Sequence, residues 1–162
     1  MAQVYVSIGS NIDREVHIRA ALRSLSERFG KLELSTVYES KAVGFEGGNF
    51  FNLVAGFTSD ASPYEIVEAL RQMEAAHGRR RDGSRLASRT LDIDLLLYDD
   101  LILHDGGLVI PREEITQQAF VLKPLAELAA GRRHPVTRQT FADMWRAFAN
   151  DHQAIWPAQF SR

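Results

Sequence analysis

The sequence predicts an α+β fold, a ferredoxin-like α/β sandwich with a mostly antiparallel sheet and extra helices towards the C-terminus. This prediction depends on the order of the segments. Runs of strand and helix periodicity follow one another as β-α-β-β-α-β, which is the order of the split β-α-β motif. The 162 residues contain no internal repeat and no convincing linker. We therefore expect one domain that spans residues 1–162.

The first half of the chain supplies a strand, a helix and two further strands. Predicted there, in order, are a buried strand over 4–8, a helix that ends near 29, a strand over 32–38 and a strand over 50–57. Asn11 or Asp13 can cap the helix, and Gly30 suits its C-terminal stop. The segment 41–49 contains three glycines and is predicted to be a loop.

The second half begins with a compact helix start at Ser62-Pro63-Tyr64-Glu65. The Ser62 side chain can accept the backbone N–H of Glu65, the Glu65 side chain can reach back, and Pro63 suits the first helical position. The elements predicted from there on are a helix that ends at 78, an arginine-rich loop, a strand over 90–98, a short strand over 108–110, and helices centred on 122–128 and 141–148.

The composition excludes several classes of protein. The chain has 19 Lys and Arg against 21 Asp and Glu, for a net charge of −2, so neither nucleic acid nor an anionic membrane is expected as a partner. The absence of Cys removes disulfides, thiolate metal sites and cysteine nucleophiles. Neither a long apolar span nor a secretory signal is present, so we expect a cytoplasmic protein. The nucleotide-binding P-loop and G-x-G-x-x-G motifs are also missing.

Two acidic residues alternate with apolar ones in the predicted strand over 90–98. Asp92 and Asp94 therefore project from one face of that strand. The residues expected to face the other way, into the core, are Leu91, Ile93, Leu95 and Leu97. Because Asp is disfavoured in strands, the pair needs an explanation. It indicates either a solvated strand face or a site for a hard cation such as Mg²⁺, which prefers oxygen ligands.

An arginine-rich loop immediately precedes this strand. Residues 78–89 contain five Arg and one Asp. Such a run is either solvated surface or a clamp for a polyphosphate, since guanidinium groups bind phosphate oxygens in a planar, bidentate manner. A metal held by acids beside an arginine clamp is a recurring arrangement for phosphoryl transfer.

The third predicted strand places one polar residue among apolar ones. Phe50, Asn52 and Val54 share a face of that strand. The Asn52 amide suits the amide-like edge of a heterocycle, and Phe50 could cover the flat face of the ring. Taken alone, the pattern also fits an edge asparagine that is satisfied by backbone groups. Phe120 is by default a core residue at a helix start.

Together these segments resemble the 6-hydroxymethyl-7,8-dihydropterin pyrophosphokinase family, over nearly the whole chain. The element Arg89-Thr90-Leu91-Asp92-Ile93-Asp94 is the most specific part of the resemblance. The other matching segments are Ile8-Gly9-Ser10-Asn11, Ala42-Val43-Gly44, Phe51-Asn52, Glu74 with Gly78-Arg79, Pro111, and Phe120-Val121-Leu122 with Pro124-Leu125.

The resemblance implies a transfer of pyrophosphate from ATP to 6-hydroxymethyl-7,8-dihydropterin, which gives AMP and the pterin diphosphate in folate biosynthesis. It implies two Mg²⁺ ions and ATP as co-substrate. The expected partners are these small molecules alone, with neither nucleic acid nor membrane, and the expected form is a cytoplasmic monomer.

The site residues implied by the resemblance form a catalytic group and two binding groups. Asp92 and Asp94 would hold both metals, while Arg79 and Arg89 would bind and neutralise the moving phosphates. The pterin pocket would consist of Asn52 at the ring edge, Phe50 and Phe120 on the ring faces, and Ser40, Lys41 and Val43 along the wall. Arg71 and Glu74 would hold the nucleotide, and Arg81, Arg85 and Arg112 would contact its phosphates.

The departures from the family pattern concentrate near the arginine loop. Leu86-Ala87-Ser88 stands where the family usually has Trp-Gly-Pro, and Arg112 stands where it usually has His. These departures motivate an alternative: a diverged paralogue with an altered ATP loop that binds or pyrophosphorylates a related heterocycle. A third hypothesis is an RNA-binding module, but the net charge of −2 and the lack of an RNP-like aromatic strand argue against it.

Overall fold

The computed structural model describes residues 1–41, 47–78, 91–148 and 153–160. Its elements, in chain order, are β1 (Ala2–Ser10), α1 (Arg14–Phe29), β2 (Glu33–Leu34), β3 (Tyr38–Ser40), β4 (Phe50–Ser59), α2 (Pro63–Ala76), β5 (Asp92–Tyr98), β6 (Leu103–Asp105), β7 (Leu108–Ile110), α3 (Glu114–Gln117), α4 (Ala119–Leu128), α5 (Phe141–Ala147) and β8 (Ile155–Pro157). Within these ranges, no helix is both long and apolar enough to cross a bilayer.

The main sheet has the strand order β5-β1-β4-β3-β8, and β2 pairs with the far end of β4. Its neighbouring strands run antiparallel. The strand β1 lies inside the sheet, between β5 and β4, and its Val4, Val6 and Ile8 are wholly or almost wholly buried. This arrangement confirms the predicted α+β fold with a mostly antiparallel sheet.

Two apolar cores cover the two faces of the sheet. One core contains Ile18 and Leu25 of α1 and Ile66 of α2, packed on the odd-numbered apolar residues of β4. The other contains residues of α4 and α5, including Leu122 and Phe141. The expected alternation in β4 is therefore correct, and it leaves Phe50 and Asn52 on the face of the second core.

The helix ends follow the expected signals with one difference. At α2, Ser62 accepts the N–H of Glu65 at 3.2 Å and Glu65 accepts the N–H of Ser62 at 3.0 Å, so the predicted capping box forms. At α1, Asp13 occupies the N-cap position, but its side chain makes no capping hydrogen bond, because its backbone is left-handed, with φ of 43°. Gly30 ends α1, and its N–H donates to the carbonyl of Ser26.

Three expectations about the strands need correction. The segment 32–38 is not one strand: it is broken between β2 and β3, where the Ser35 hydroxyl accepts the N–H of Val54. Leu97 does not share a face with Leu95, because the register of β1 and β5 shifts between Tyr5 and Val6 and moves Leu97 into the second core. The strands β6 and β8 were not expected, and β6 pairs with the predicted strand β7 through a two-glycine turn.

Candidate active site

Three carboxylates meet at the start of β5. Asp92 and Asp94 project from one face of this strand, while Ile93 between them packs in the first core. Glu74, near the end of α2, is only 2% exposed, and its Oε2 accepts the backbone N–H of Ile93 at 3.0 Å. One oxygen from each of the three carboxylates lies within 4.8 Å of the others.

The sequence did not show that Glu74 lies against the two aspartates. Only the resemblance pointed to Glu74, as a residue that would help to hold the nucleotide. One local signal was present: Glu74 follows Leu70 by four residues on the buried side of α2, where a charged residue needs a partner.

The cluster concentrates negative charge in a poorly solvated place. Burial, and secondly the charge of Asp92, raise the pKa of Asp94 to about 7. Arg112 opposes this effect, since its Nη2 lies 3.5 Å from Oδ1 of Asp94, but its Nε also pairs with Glu114. Three carboxylate oxygens gathered this closely fit a hard divalent cation such as Mg²⁺.

A buried amide lies across the sheet from the acid cluster. Asn52 is 6% exposed, and its Nδ2 donates to Oγ of Ser40, itself buried, at 2.8 Å. Gly9 of β1 pairs with Asn52 on one side and with Asp92 on the other. All three residues thus line one strip of the sheet, and the backbones of Asn52 and Asp92 lie two strand spacings apart, about 10 Å.

The glycine in the middle of this strip is needed for space. A Cβ at Gly9 would lie 3.0 Å from Oδ1 of Asn52 and 3.8 Å from the ring of Phe50. A side chain here would therefore push against the amide oxygen and fill the gap between the amide and the aspartates. With glycine, the strip has polar groups at both ends and no side chain between them.

Four other residues of the predicted site lie among the described residues. Phe50 begins β4 and is half-buried, and Phe120 is partly buried in the first turn of α4, which packs on β4 and β3. Lys41 directly follows β3 and is exposed. Arg71 is exposed on α2.

Comparison with known proteins identifies the family. Residues 5–130 match the model of the 7,8-dihydro-6-hydroxymethylpterin-pyrophosphokinase family, HPPK. The chain belongs to this family. It is 36% identical over 141 residues to the 2-amino-4-hydroxy-6-hydroxymethyldihydropteridine pyrophosphokinase of Aquifex aeolicus, which covers 86% of this chain and 88% of the relative. The Haemophilus influenzae enzyme of the same name is 32% identical over 159 residues, which is 96% of this chain and 98% of the relative.

Solved structures show the same HPPK fold at lower sequence identity. The wild-type HPPK-DHPS of Plasmodium falciparum with pterin and p-hydroxybenzoate superposes with a TM-score of 0.74 at 14% identity, over 90% of this chain. The same protein with SDX-DHP gives a TM-score of 0.70 at 14% identity. This chain spans only 42–43% of those longer chains, and at this identity the likeness concerns the fold.

Several residues that the HPPK resemblance names lie outside the described residues. They are Val43 of the predicted pocket wall, Arg79 and Arg89 of the catalytic group, and Arg81 and Arg85 of the phosphate contacts. The segment Leu86-Ala87-Ser88, where the sequence departs from the family, lies outside them too. The roles of these residues stay predictions.

Proposed function

We propose that this HPPK-family chain transfers the pyrophosphoryl group of ATP to the hydroxymethyl group of 6-hydroxymethyl-7,8-dihydropterin, with release of AMP, as a step of folate biosynthesis. The observation that carries the proposal is the arrangement of three paired strands, in which Gly9 alone separates the buried amide of Asn52 from the carboxylate cluster at Asp92. No observation favours the alternative of a diverged paralogue with a related heterocycle.

The chemistry needs alignment and charge neutralisation from the protein rather than a covalent nucleophile, because the attacking group is the alcohol of the substrate. Asp92 and Asp94 would hold two Mg²⁺ ions, which when bound neutralise and orient the phosphates of ATP. Glu74 holds the backbone N–H of Ile93 and so fixes the strand between the two aspartates. Attack at the β-phosphorus makes AMP the leaving group.

The amide end of the strip would bind the pterin. The hydrogen bond from Nδ2 of Asn52 to Ser40 orients the amide, so that its oxygen and second N–H can match the donor and acceptor pattern of the pterin edge. Phe50 and Phe120 would cover the two faces of the ring, and Lys41 and Val43 would complete the wall. The bicyclic ring and its hydroxymethyl arm would lie along the strip, whose end residues Asn52 and Asp92 have backbones about 10 Å apart.

The arginines would handle the triphosphate. Arg79 and Arg89 would neutralise the phosphates that move in the reaction. The remaining contacts to the nucleotide would come from Arg71, Glu74, Arg81, Arg85 and Arg112. Arg112 already lies beside Asp94, the position expected of a cation that shares phosphates with a metal. A monomer in the cytoplasm remains our expectation for the form and location of the protein.

One assay tests the proposal. ATP, Mg²⁺ and 6-hydroxymethyl-7,8-dihydropterin together should yield AMP and pterin diphosphate in equal amounts, and omission of the pterin should abolish AMP release. The analogue 6-methyl-7,8-dihydropterin, which lacks the attacking hydroxyl, is the matched control and should give no AMP. Absence of AMP with the complete mixture, or ADP in its place, would overturn the proposal.

A further inference from the structure

The first residue of α1, Arg14, joins the two strands that carry the proposed pterin pocket. Its Nη1 donates to Oε2 of Glu39 on β3 at 3.1 Å and to the carbonyl of Asn49, just before β4, at 3.0 Å. The Asn49 side chain closes the triangle, since its Nδ2 donates to the same Glu39 oxygen at 3.1 Å. We name these three residues, Arg14, Glu39 and Asn49, the Arg14 brace.

The brace is better protected from water than a surface ion pair. The Arg14 side chain is 32% exposed and that of Glu39 is 20% exposed. The guanidinium also lies 3.8 Å from the centre of the Phe51 ring, a distance at which the cation is attracted by the ring. The hydrogen bond from Asn49, together with Arg14, lowers the pKa of Glu39, so the carboxylate is charged at neutral pH.

The brace lies on the face of the sheet opposite the proposed pterin pocket. Glu39 pairs with Phe51, and Phe51 belongs to the core under α1, so both side chains point away from the pocket. The next pair along, Ser40 with Phe50, points to the opposite face, where Asn52 also lies. A second tie lies close by, because Nδ2 of Asn11 donates to the carbonyl of Gly48 at 3.1 Å.

We propose that the Arg14 brace is a positioning device for the heterocycle: it fixes the register and spacing of β3 against β4, and thereby sets where Ser40, Phe50 and Asn52 stand relative to the aspartates. The inference rests on the proposed function, which identifies these three residues as pterin contacts. The brace lies on the face of the sheet opposite Asn52, so it would act through the strands that it joins. It is specific to the heterocycle end, because Asp92 and Asp94 of the acid cluster lie on β5, on the other side of β1.

Two substitutions test this role, Arg14→Gln and Glu39→Gln. The variant that combines them completes a double-mutant cycle. We expect each single variant to weaken pterin binding about tenfold, in line with the loss of a charge-assisted hydrogen bond that positions a site. The double variant should bind pterin no more weakly than the single variants, because either substitution alone already breaks the Arg14–Glu39 interaction. The KM for ATP should stay within about twofold of the wild-type value. Arg14→Lys, which keeps the positive charge, should bind pterin more tightly than Arg14→Gln does.

Calorimetry with 6-hydroxymethylpterin, a non-hydrolysable ATP analogue and Mg²⁺ measures the binding, and steady-state kinetics give the two KM values. Arg146→Gln, which removes an exposed arginine paired with Asp143 on α5, is the matched control and should leave both substrates unaffected. Unchanged pterin affinity in Arg14→Gln and Glu39→Gln, or an equal loss for pterin and ATP, would overturn the proposal.

Two further points keep the test decisive. If Arg14→Gln fails to fold, the isosteric Glu39→Gln variant alone decides, because it keeps the side-chain shape while it removes the charge and one acceptor oxygen. The calorimetric comparison needs no turnover. Failure of the wild-type chain to form AMP would therefore overturn the proposed function, while pterin affinities that do not respond to the variants would overturn the brace.

Discussion

At the scale of single residues, the two aspartates of β5 carry the strongest functional prediction. We expect Asp92→Ala and Asp94→Ala each to lower kcat by about 10²–10³, the typical loss when one preorganised electrostatic group is removed. Both carboxylates belong to the cluster with Glu74, and alanine removes a proposed metal ligand without adding bulk. Initial rates of AMP formation at saturating ATP and pterin measure the effect.

A matched control separates this effect from a general loss of negative charge. Asp60 has a side chain that is 82% exposed and that pairs with the N-terminal amine at 3.6 Å. Asp60→Ala should therefore retain the wild-type rate. Wild-type turnover in either Asp92→Ala or Asp94→Ala would show that the metals are not held where we place them.

His134 carries a second prediction, on stability. It is 5% exposed, and its Nδ1 accepts the backbone N–H groups of Val136 and Thr137 at 3.1 and 3.2 Å. Burial lowers the pKa of His134 below 6.5, because the charged ring loses its hydration. A proton on Nδ1 would in addition face the two N–H donors. The folded state therefore prefers the neutral ring, and its contribution to stability is present above pH 6.5 and is lost as the pH falls through the lowered pKa.

The variant His134→Asn tests this sign. Its side-chain oxygen can accept the same two N–H groups but does not titrate, so the free energy of unfolding should fall less between pH 7 and pH 5 than in the wild type. Urea unfolding at each pH gives the comparison. His104→Asn changes an exposed histidine and should keep the wild-type slope. An equally steep loss in His134→Asn would refute the assignment.

At the scale of elements, Glu127 joins α4 to β3. Its Oε1 accepts the Tyr38 hydroxyl at 2.8 Å, and its Oε2 accepts the Thr36 N–H at 2.8 Å and the Thr36 hydroxyl at 3.0 Å. We expect Glu127→Ala to lower the free energy of unfolding by about 2 kcal/mol, because it removes three charge-assisted hydrogen bonds that are partly open to water. Urea denaturation measures it.

The corresponding double-mutant cycle uses Tyr38→Phe. This substitution alone should lower the free energy of unfolding by about 1 kcal/mol, and in the Glu127→Ala background it should lower it hardly any further. Glu68→Ala, an exposed glutamate on α2, is the control and should stay within about 0.5 kcal/mol of the wild type. If Glu127→Ala behaved like Glu68→Ala, α4 would be held to the sheet by its apolar face alone.

The elements that the sequence predicts well are those whose signals are local. The capping box of α2 and the alternation of β4 each lie within a few residues, so their patterns survive in the fold. The Gly106-Gly107 turn was a local signal for the β6–β7 hairpin, with φ of 54° and 90° in the structure, and it could have been used. The shift that turns Leu97 to the second core depends on its pairing with Tyr5, far away in sequence.

The candidate site shows the same division. The chain places Asp92 and Asp94 two residues apart, so their common face follows from strand geometry alone. Their approach to Glu74, and the single glycine between Asp92 and Asn52, follow from the packing of α2 and from the order β5-β1-β4. Pairing of this kind has no local signature, so the resemblance to the HPPK family supplied those residues, and the fold shows how they come together.

At the scale of the whole molecule, the acid cluster sets function against stability. The pKa of Asp94 is raised to about 7, so its charged form opposes folding, and the stability that its protonated form provides is lost as the pH rises from about 4 through 7. At pH 8 in EDTA, Asp94→Asn should therefore be more stable than the wild type. Its Tm should rise by about 2–4 °C for each kcal/mol gained in the free energy of unfolding, at this chain length.

Addition of Mg²⁺ should reverse the order. A cation that binds only the folded state stabilises it in proportion to the logarithm of its concentration over Kd, so the wild-type Tm should climb with millimolar Mg²⁺ while that of Asp94→Asn should barely move. Thermal scans in EDTA and over a Mg²⁺ series test this, with Asp60→Asn expected to follow the wild type throughout. A lower Tm for Asp94→Asn in EDTA would mean that its ion pair with Arg112 outweighs the repulsion within the cluster.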